Sequence, residues 1–250
     1  MPSPIQATTH SLAQTILRAF ESGERMPVGD EVQSIQEAYN VQAAVALERG
    51  LVAGFKAARK PDSALVSAPL MSSGLVANGG SAASQFGGNL GVELEVGLRL
   101  LAPLPAADDP GFMDALRNSV QPVLVIELVD TRLSGPLSED ALNKLADAQV
   151  NAGLVVGPDL PDWDGGPISL VSARMRAGDT VLLDGPATVP GGDARESLRV
   201  LAATLGDHCG GLQPGHIVIT GSLHPLTYVA PGTFVEGWID GFGTISVSIT

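Results

Sequence analysis

The chain has 250 residues, 44% of them hydrophobic and only 16% charged, which is enough to bury a core and too apolar for a disordered polymer. Its formal charge is −13, from 27 acidic and 14 basic residues, and no Lys/Arg cluster is long enough to follow a phosphate backbone, so nucleic acid is not an expected partner. A lone cysteine, Cys209, excludes an intrachain disulfide framework, and no stretch approaches the roughly 18 apolar residues of a spanning helix; the expectation is a cytoplasmic protein with no membrane partner.

Aromatics are scarce at 4%, which leaves the core to Val, Leu, Ile and Ala, and 30 glycines with 18 prolines imply many tight turns between short strands. SLAQTILRAFESG predicts a first helix, with Ser11 and Gln14 as a capping box, a stripe of Leu12, Ile16, Leu17 and Phe20, and a stop at Gly23. SIQEAYNVQAAVALERG predicts a second, boxed by Ser34 and Glu37 and ended by Gly50. These helices make an N-terminal cap over residues 1–50, ahead of a β-rich body over residues 51–250.

In the body, LVAGFKAARK reads as a short strand running into a basic loop, ANGGSAASQFGGN as turns, and GVELEVGLRL as a strand. FMDALRNSV reads as a brief helix and VLVIELVDTR as a central strand, being too apolar and β-branched for a surface helix. SEDALNKLADAQ predicts a helix capped by Ser138 with Ala141, Leu142 and Leu145 inward, followed by the buried strand GLVVG. ISLVSARMRAGDTVLLDG predicts a hairpin turning at Ala177-Gly178-Asp179, and DARESLRVLAATLG a helix boxed by Asp193 and Glu196 and closed by Gly206. The C-terminus gives three or four strands around Pro231-Gly232 and Gly241 to Gly243. Two helices, then strands interrupted by three helices, then an antiparallel sheet: this order implies an α+β (mixed α/β) fold.

The usual catalytic signatures are missing. His10, His208, His216 and His224 show no zinc spacing, and no GxSxG, GxGxxG or GxxxxGK occurs. Carboxylates carry the signal instead. In GVELEVGLRL, Val92, Leu94, Val96 and Leu98 take one side of the strand, and Glu93, Glu95 and Arg99 the other. Neighbouring like charges repel, so solvent, an arginine or a cation must offset them. Glu127 sits in LVIELVD, where an unpaired carboxylate is costly. If the two strands are neighbours, Glu93, Glu95 and Glu127 converge, and Mg²⁺ or Mn²⁺ would relieve their repulsion. The alternative puts Glu93 and Glu95 on a wet sheet face and pairs Glu127 with Arg99 or Arg132. Lys56 likewise reads two ways: a snorkelling lysine at a strand end, or a charge partner and proton carrier in a carboxylate cleft.

The segments GFK at 54–56, VELEVGLRL at 92–100, VIELVDTRL at 125–133, NAGLVVG at 151–157 and ITGSLHPLTYVAPGTFVEGWIDGFGTISVSI at 219–249 have a joint pattern. It resembles the 2-keto-4-pentenoate hydratase / 4-oxalocrotonate decarboxylase family, a branch of the fumarylacetoacetate hydrolase superfamily, from the AYNVQ segment to the C-terminus. The resemblance implies a β-roll or barrel-like body, like the C-terminal domain of fumarylacetoacetate hydrolase, with N-terminal helices and assembly into homo-oligomers. It implies Mg²⁺ or Mn²⁺ on Glu93, Glu95 and Glu127, Lys56 beside the substrate, and Thr220, Gly221 and Ser222 bordering the pocket against the substrate carboxylate or oxo group. The implied substrate is a small 2-oxo or 2-hydroxydienoic acid of aromatic hydrocarbon catabolism. The leading reaction is hydration of a 2-hydroxy-2,4-dienoate to a 4-hydroxy-2-oxo acid. Decarboxylation of a 2-oxo-3-enedioate comes second, with an acylpyruvate-type C–C hydrolase and a non-catalytic homologue behind. Three departures stand out: a compact AARKPDSALVSAPL loop after GFK, ADAQVNAG where the family tends to have ADNA, and HPLTY after TGS. Arg59 and Lys60 in that compact loop would bind a second carboxylate and shift weight to the decarboxylase.

Overall fold

The computed structural model describes residues 4–29, 31–58 and 65–250, so Arg59 and Lys60 lie outside the described residues. Helix α2 (Ile35–Arg49) is bounded as its sequence predicts. Ser34 Oγ accepts from the Glu37 N–H at 3.2 Å, Glu37 Oε2 accepts from the Gln33 N–H at 2.8 Å, and the Gly50 N–H closes on Ala46 O. Helix α1 (Pro4–Ser22) departs from prediction by starting at Pro4. A proline in the first turn has no N–H to leave unpaired, which favours that start. Ser11 and Gln14 therefore lie inside the helix and form no capping box; Gln14 bonds His10 one turn back instead. Leu12, Ile16 and Val41 of these helices share a core with Leu133, Leu145 and Ala146. A two-residue parallel pairing of β1 (Met26–Pro27) with β8 (Leu133–Ser134) ties the same regions together.

The body has two sheets. The larger is a curled half-barrel of β2 (Val52–Ala58), β3 (Val66–Met71), β4 (Leu75–Ala77), β6 (Leu90–Leu100), β7 (Val120–Val129), β9 (Asn151–Asp159) and β12 (Ile217–Ile219). Their order is β3-β2-β12-β6-β7-β9-β4, with β13 (Thr227–Val229) also pairing β6. The smaller sheet runs β11-β10-β14-β15-β5, from β5 (Gly80–Ala82), β10 (Leu170–Ala177), β11 (Thr180–Thr188), β14 (Phe234–Ile239) and β15 (Gly243–Ile249). Between them Val92, Leu94, Val96 and Leu98 of β6 meet Met175, Val235, Ile245 and Val247 in the main core. The β10–β11 hairpin turns at Gly178-Asp179 as predicted, with Ala177 opposite Thr180.

Three further helices interrupt the strands: α3 (Phe112–Ser119), α4 (Ala141–Ala146) and α5 (Ala194–Thr204). Asp193 caps α5, while Glu196 binds Arg199 rather than completing a box. For α4 the cap is Asp140, which accepts from the Leu142 and Asn143 N–H groups; Ser138 lies in a preceding 3₁₀ turn, and Ala141 is exposed rather than inward. Both α2 and α4 pack on β3 and on each other, roofing the concave side of the half-barrel. No helix among the described residues is long and apolar enough to cross a membrane.

Candidate metal and substrate site

Strand register assembles the site. Since the even-numbered residues of β6 fill the main core, its odd-numbered residues face the concave side. Antiparallel pairing with β7 then puts Glu93 opposite Glu127 and Glu95 opposite Val125. Carboxylate oxygens of Glu93, Glu95 and Glu127 lie within 4.8 Å of one another, with Glu95 and Glu127 fully buried. Lys56 reaches them from β2, where it stands opposite Ile219 of β12.

A gap in the ladder opens the space above them. β6 pairs with β13 at Leu90 to Val92 and with β12 at Gly97 to Arg99, so its middle lacks a strand partner on that side. The TGSLH segment bridges the gap with individual bonds. Thr220 Oγ1 donates to Val96 O at 3.2 Å, the Leu223 N–H donates to Leu94 O, and the Leu94 N–H donates to His224 Nε2 at 3.2 Å. Gly221 sits at φ +109°, and a Cβ there would come within 3.0 Å of Pro190, which is why glycine is needed.

Each buried carboxylate is half satisfied. Glu95 Oε2 accepts from the Gly221 N–H at 2.7 Å, and Glu127 Oε1 accepts from Lys56 Nζ at 2.7 Å and Asn151 Nδ2 at 2.9 Å. Glu95 Oε1 and Glu127 Oε2 are buried with no partner. Burial first, then the charge of Glu127, pushes Glu93 up to about 7 and Glu95 well above the usual carboxylate range. Burial opposes the Lys56 ammonium, but the combined pull of Glu127, Glu95 and Glu93 outweighs it and raises the lysine. Three carboxylates with two orphaned oxygens suit a hard divalent cation, which takes oxygen ligands and supplies the missing charge.

The arginine pairings offered as the alternative do not form. Glu95 is on no wet face, and neither arginine serves Glu127: Arg99 pairs with Asp159, and Arg132 with Asp147. Lys56 is no snorkelling lysine, for it is buried against Glu127. Thr220, Gly221 and Ser222 all line the cleft, yet their polar groups are engaged within the protein, Ser222 Oγ donating to His224 O at 2.6 Å. Asn151, Gln149 and His224 were not foreseen as site residues. The sequence reading assigns Asn151 no role, because its bond to Glu127 follows from the pairing of β7 with β9.

The cleft has a volume of about 610 Å³. Its floor is Lys56, Glu93 and Glu95; its walls include the apolar Ile35, Val66, Leu142, Leu145 and Val150. Lys144 is its other cation among the described residues, and it pairs with Glu139 at the surface.

No protein-family model matches the chain. Solved structures share its fold. 4-Oxalocrotonate decarboxylase from Pseudomonas putida G7, complexed with magnesium and adipate, aligns with a TM-score of 0.81 at 18% identity over 98% of both chains. The same enzyme complexed with calcium and acetate gives 0.80 at 19% identity, again over 98% of each. Fumarylpyruvate hydrolase from Pseudomonas aeruginosa, in complex with Mn²⁺ and pyruvate, gives 0.57 at 14% identity over 78% of this chain and 88% of that one. The chain thus shares the fold of 4-oxalocrotonate decarboxylase along nearly its whole length and that of fumarylpyruvate hydrolase over most of it.

Proposed function

We propose that this protein is a divalent-metal-dependent lyase of short 2-oxo acids, hydrating a 2-hydroxy-2,4-dienoate to a 4-hydroxy-2-oxo acid. The observation that carries the reading is the pair of orphaned buried oxygens, Glu95 Oε1 and Glu127 Oε2, beside the Lys56 ammonium in a cleft. Glu93, Glu95 and Glu127 would hold Mg²⁺ or Mn²⁺, which supplies the positive charge that binds and polarises the carboxylate and oxo oxygens of the acid.

The residues of the chain do the rest. Asn151 and the Gly221 N–H fix the orientation of Glu127 and Glu95, so the carboxylates need little rearrangement when they bind. Lys56 holds its proton at neutral pH and stands at the cleft floor. It would deliver that proton to the dienol carbon while the enol O–H proton is given up to solvent, leaving the ketone before water adds across the remaining double bond. Val66, Leu142, Leu145 and Val150 limit stray water and suit a substrate with one carboxylate and an apolar tail. That apolar wall is why hydration leads.

A second reading, decarboxylation of a 2-oxo-3-enedioate, draws support from the alignment over 98% of both chains with 4-oxalocrotonate decarboxylase. It needs the same enolate stabilisation and one more cation for the second carboxylate. The hydrolase reading has less behind it: His10 is exposed and bonded to Gln14. Homo-oligomeric assembly belongs to the same proposal. The test is a metal-supplemented assay on 2-hydroxypenta-2,4-dienoate and 4-oxalocrotonate side by side. Hydration of the first with no CO₂ from the second supports the leading reading; CO₂ from the second alone replaces it with the decarboxylase.

A further inference from the structure

The turn between α4 and β9 holds a strained backbone and an unused donor. Ala148, Gln149 and Val150 are all left-handed, at φ 50°, 50° and 57°. None is glycine, and Val150 is β-branched, the residue type least suited to that region. Such strain persists only where the surroundings over-determine it. Here they do. The Arg132 guanidinium donates to Asp147 O at one end of the turn and to Asn151 O at the other. Within it the Val150 N–H donates to Asp147 O at 2.8 Å, and Val150 O accepts from the Asp130 N–H at 2.9 Å.

What this clamped turn presents to the cleft is Gln149. Its carbonyl oxygen stands 3.5 Å from Lys56 Nζ, and the residue lines the cleft along with Leu145 and Val150. Its Nε2 is buried with no hydrogen-bond partner. A buried amide donor left unpaired destabilises the protein that carries it, so an orphan on a strained turn in a cleft wall points to an atom of the ligand.

We infer that the Gln149 carboxamide is a specificity group, donating to an acceptor oxygen on the tail of the bound 2-oxo acid. This rests on the 2-oxo-acid reading above. The tail is indicated because the three carboxylates claim the acid head, and Gln149 shares its part of the lining with the apolar Leu145 and Val150. Two tails offer such an oxygen, the hydroxyl of a 4-hydroxy-2-oxo acid and the second carboxylate of a 2-oxo dioic acid.

The test is calorimetry on Mg²⁺-loaded parent, Gln149→Met and Gln149→Asn, with pyruvate, 4-hydroxy-2-oxopentanoate and 2-oxohexanedioate as ligands. Methionine keeps the length and removes the donor. Q149M should bind pyruvate within about twofold of the parent and lose roughly tenfold on a tail-oxygen ligand. The ligand that loses more identifies the tail. Metal-free Q149M should melt at or above the parent, since the unpaired donor is gone. Q149N tolerates the left-handed turn but carries a shorter amide, so it should fold like the parent and share the tail loss. Unchanged binding of all three ligands, an equal loss on pyruvate, or a Q149M melting several degrees below the parent would each overturn the inference. A parent that binds no 2-oxo acid would remove the functional reading, and this inference with it.

Discussion

Two buried cation–carboxylate pairs stand close together, and only one of them is closed. In Arg132–Asp147 every carboxylate oxygen has a donor: Oδ1 accepts from the guanidinium, and Oδ2 from Thr131 Oγ1 at 2.9 Å and the Arg132 N–H at 3.0 Å. In Lys56–Glu127 one oxygen of Glu127 goes unpaired, and Glu95 adds a second orphan alongside. Both sets lie in low dielectric, where a missing partner is costly. A complete pair is finished scaffold, here pinning residues 147–151 against the cleft. An incomplete one leaves acceptor oxygens that a cation could bind.

That difference makes the two sites respond in opposite ways to substitution. Arg132→Met leaves the Asp147 carboxylate buried without its cation, and should cost about 3–5 kcal/mol of stability, read from the denaturant midpoint. A loss below about 1 kcal/mol would show that Arg132 is not the anchor of the turn. Lys56→Met should act on chemistry instead, lowering kcat roughly 10²-fold while divalent affinity changes little. If kcat held and only KM rose, Lys56 would be a substrate anchor and not a proton carrier.

The next effect is smaller and concerns substrate choice. Arg59→Ala with Lys60→Ala should reduce kcat/KM for a dicarboxylic substrate more than tenfold, from contacts worth about 1.5–3 kcal/mol each, and spare a monocarboxylic one. Equal loss on both substrates would remove the basic loop from substrate choice.

The smallest effect is the pH dependence of the metal-free protein. Glu93 is raised from 4.5 to about 7 in the folded state, so folding takes up protons between those values. Its contribution to stability is complete below pH 4.5 and is lost as pH rises through about 7. Glu95 and Asp147, also raised by burial, act in the same direction. The melting temperature should therefore fall across this window, and saturating Mg²⁺ should flatten or reverse the slope by displacing the protons. A metal-free protein that gained stability from pH 5 to 8 would mean that the carboxylates ionise freely in the fold.

The floor of the site was legible in the sequence because its residues break local expectation. Glu127 interrupts an apolar run, and two glutamates share one face of a strand; such anomalies are visible without coordinates. The roof was not legible. Ala148 and Gln149 are good helix formers, so ADAQ reads as the end of a helix, whereas α4 stops at Ala146 and the chain turns left-handed. The cause is Arg132, distant in sequence, whose guanidinium dictates the turn. Capping followed the same rule. Ser34 and Asp193 cap their helices as read, but Ser11 and Ser138 lost to Pro4 and Asp140, better-placed starts that periodicity did not weigh.

On the proposed function the orphaned oxygens of Glu95 and Glu127 are a cation seat. Titrating Mg²⁺ or Mn²⁺ into metal-free parent and Glu127→Gln by calorimetry near neutral pH tests it most directly. Glutamine keeps the side-chain volume and removes one ligand charge. The parent should show one site that binds with proton release, and a folded E127Q should bind no divalent ion. A parent that binds no divalent ion, or an E127Q that binds as the parent does, would contradict it.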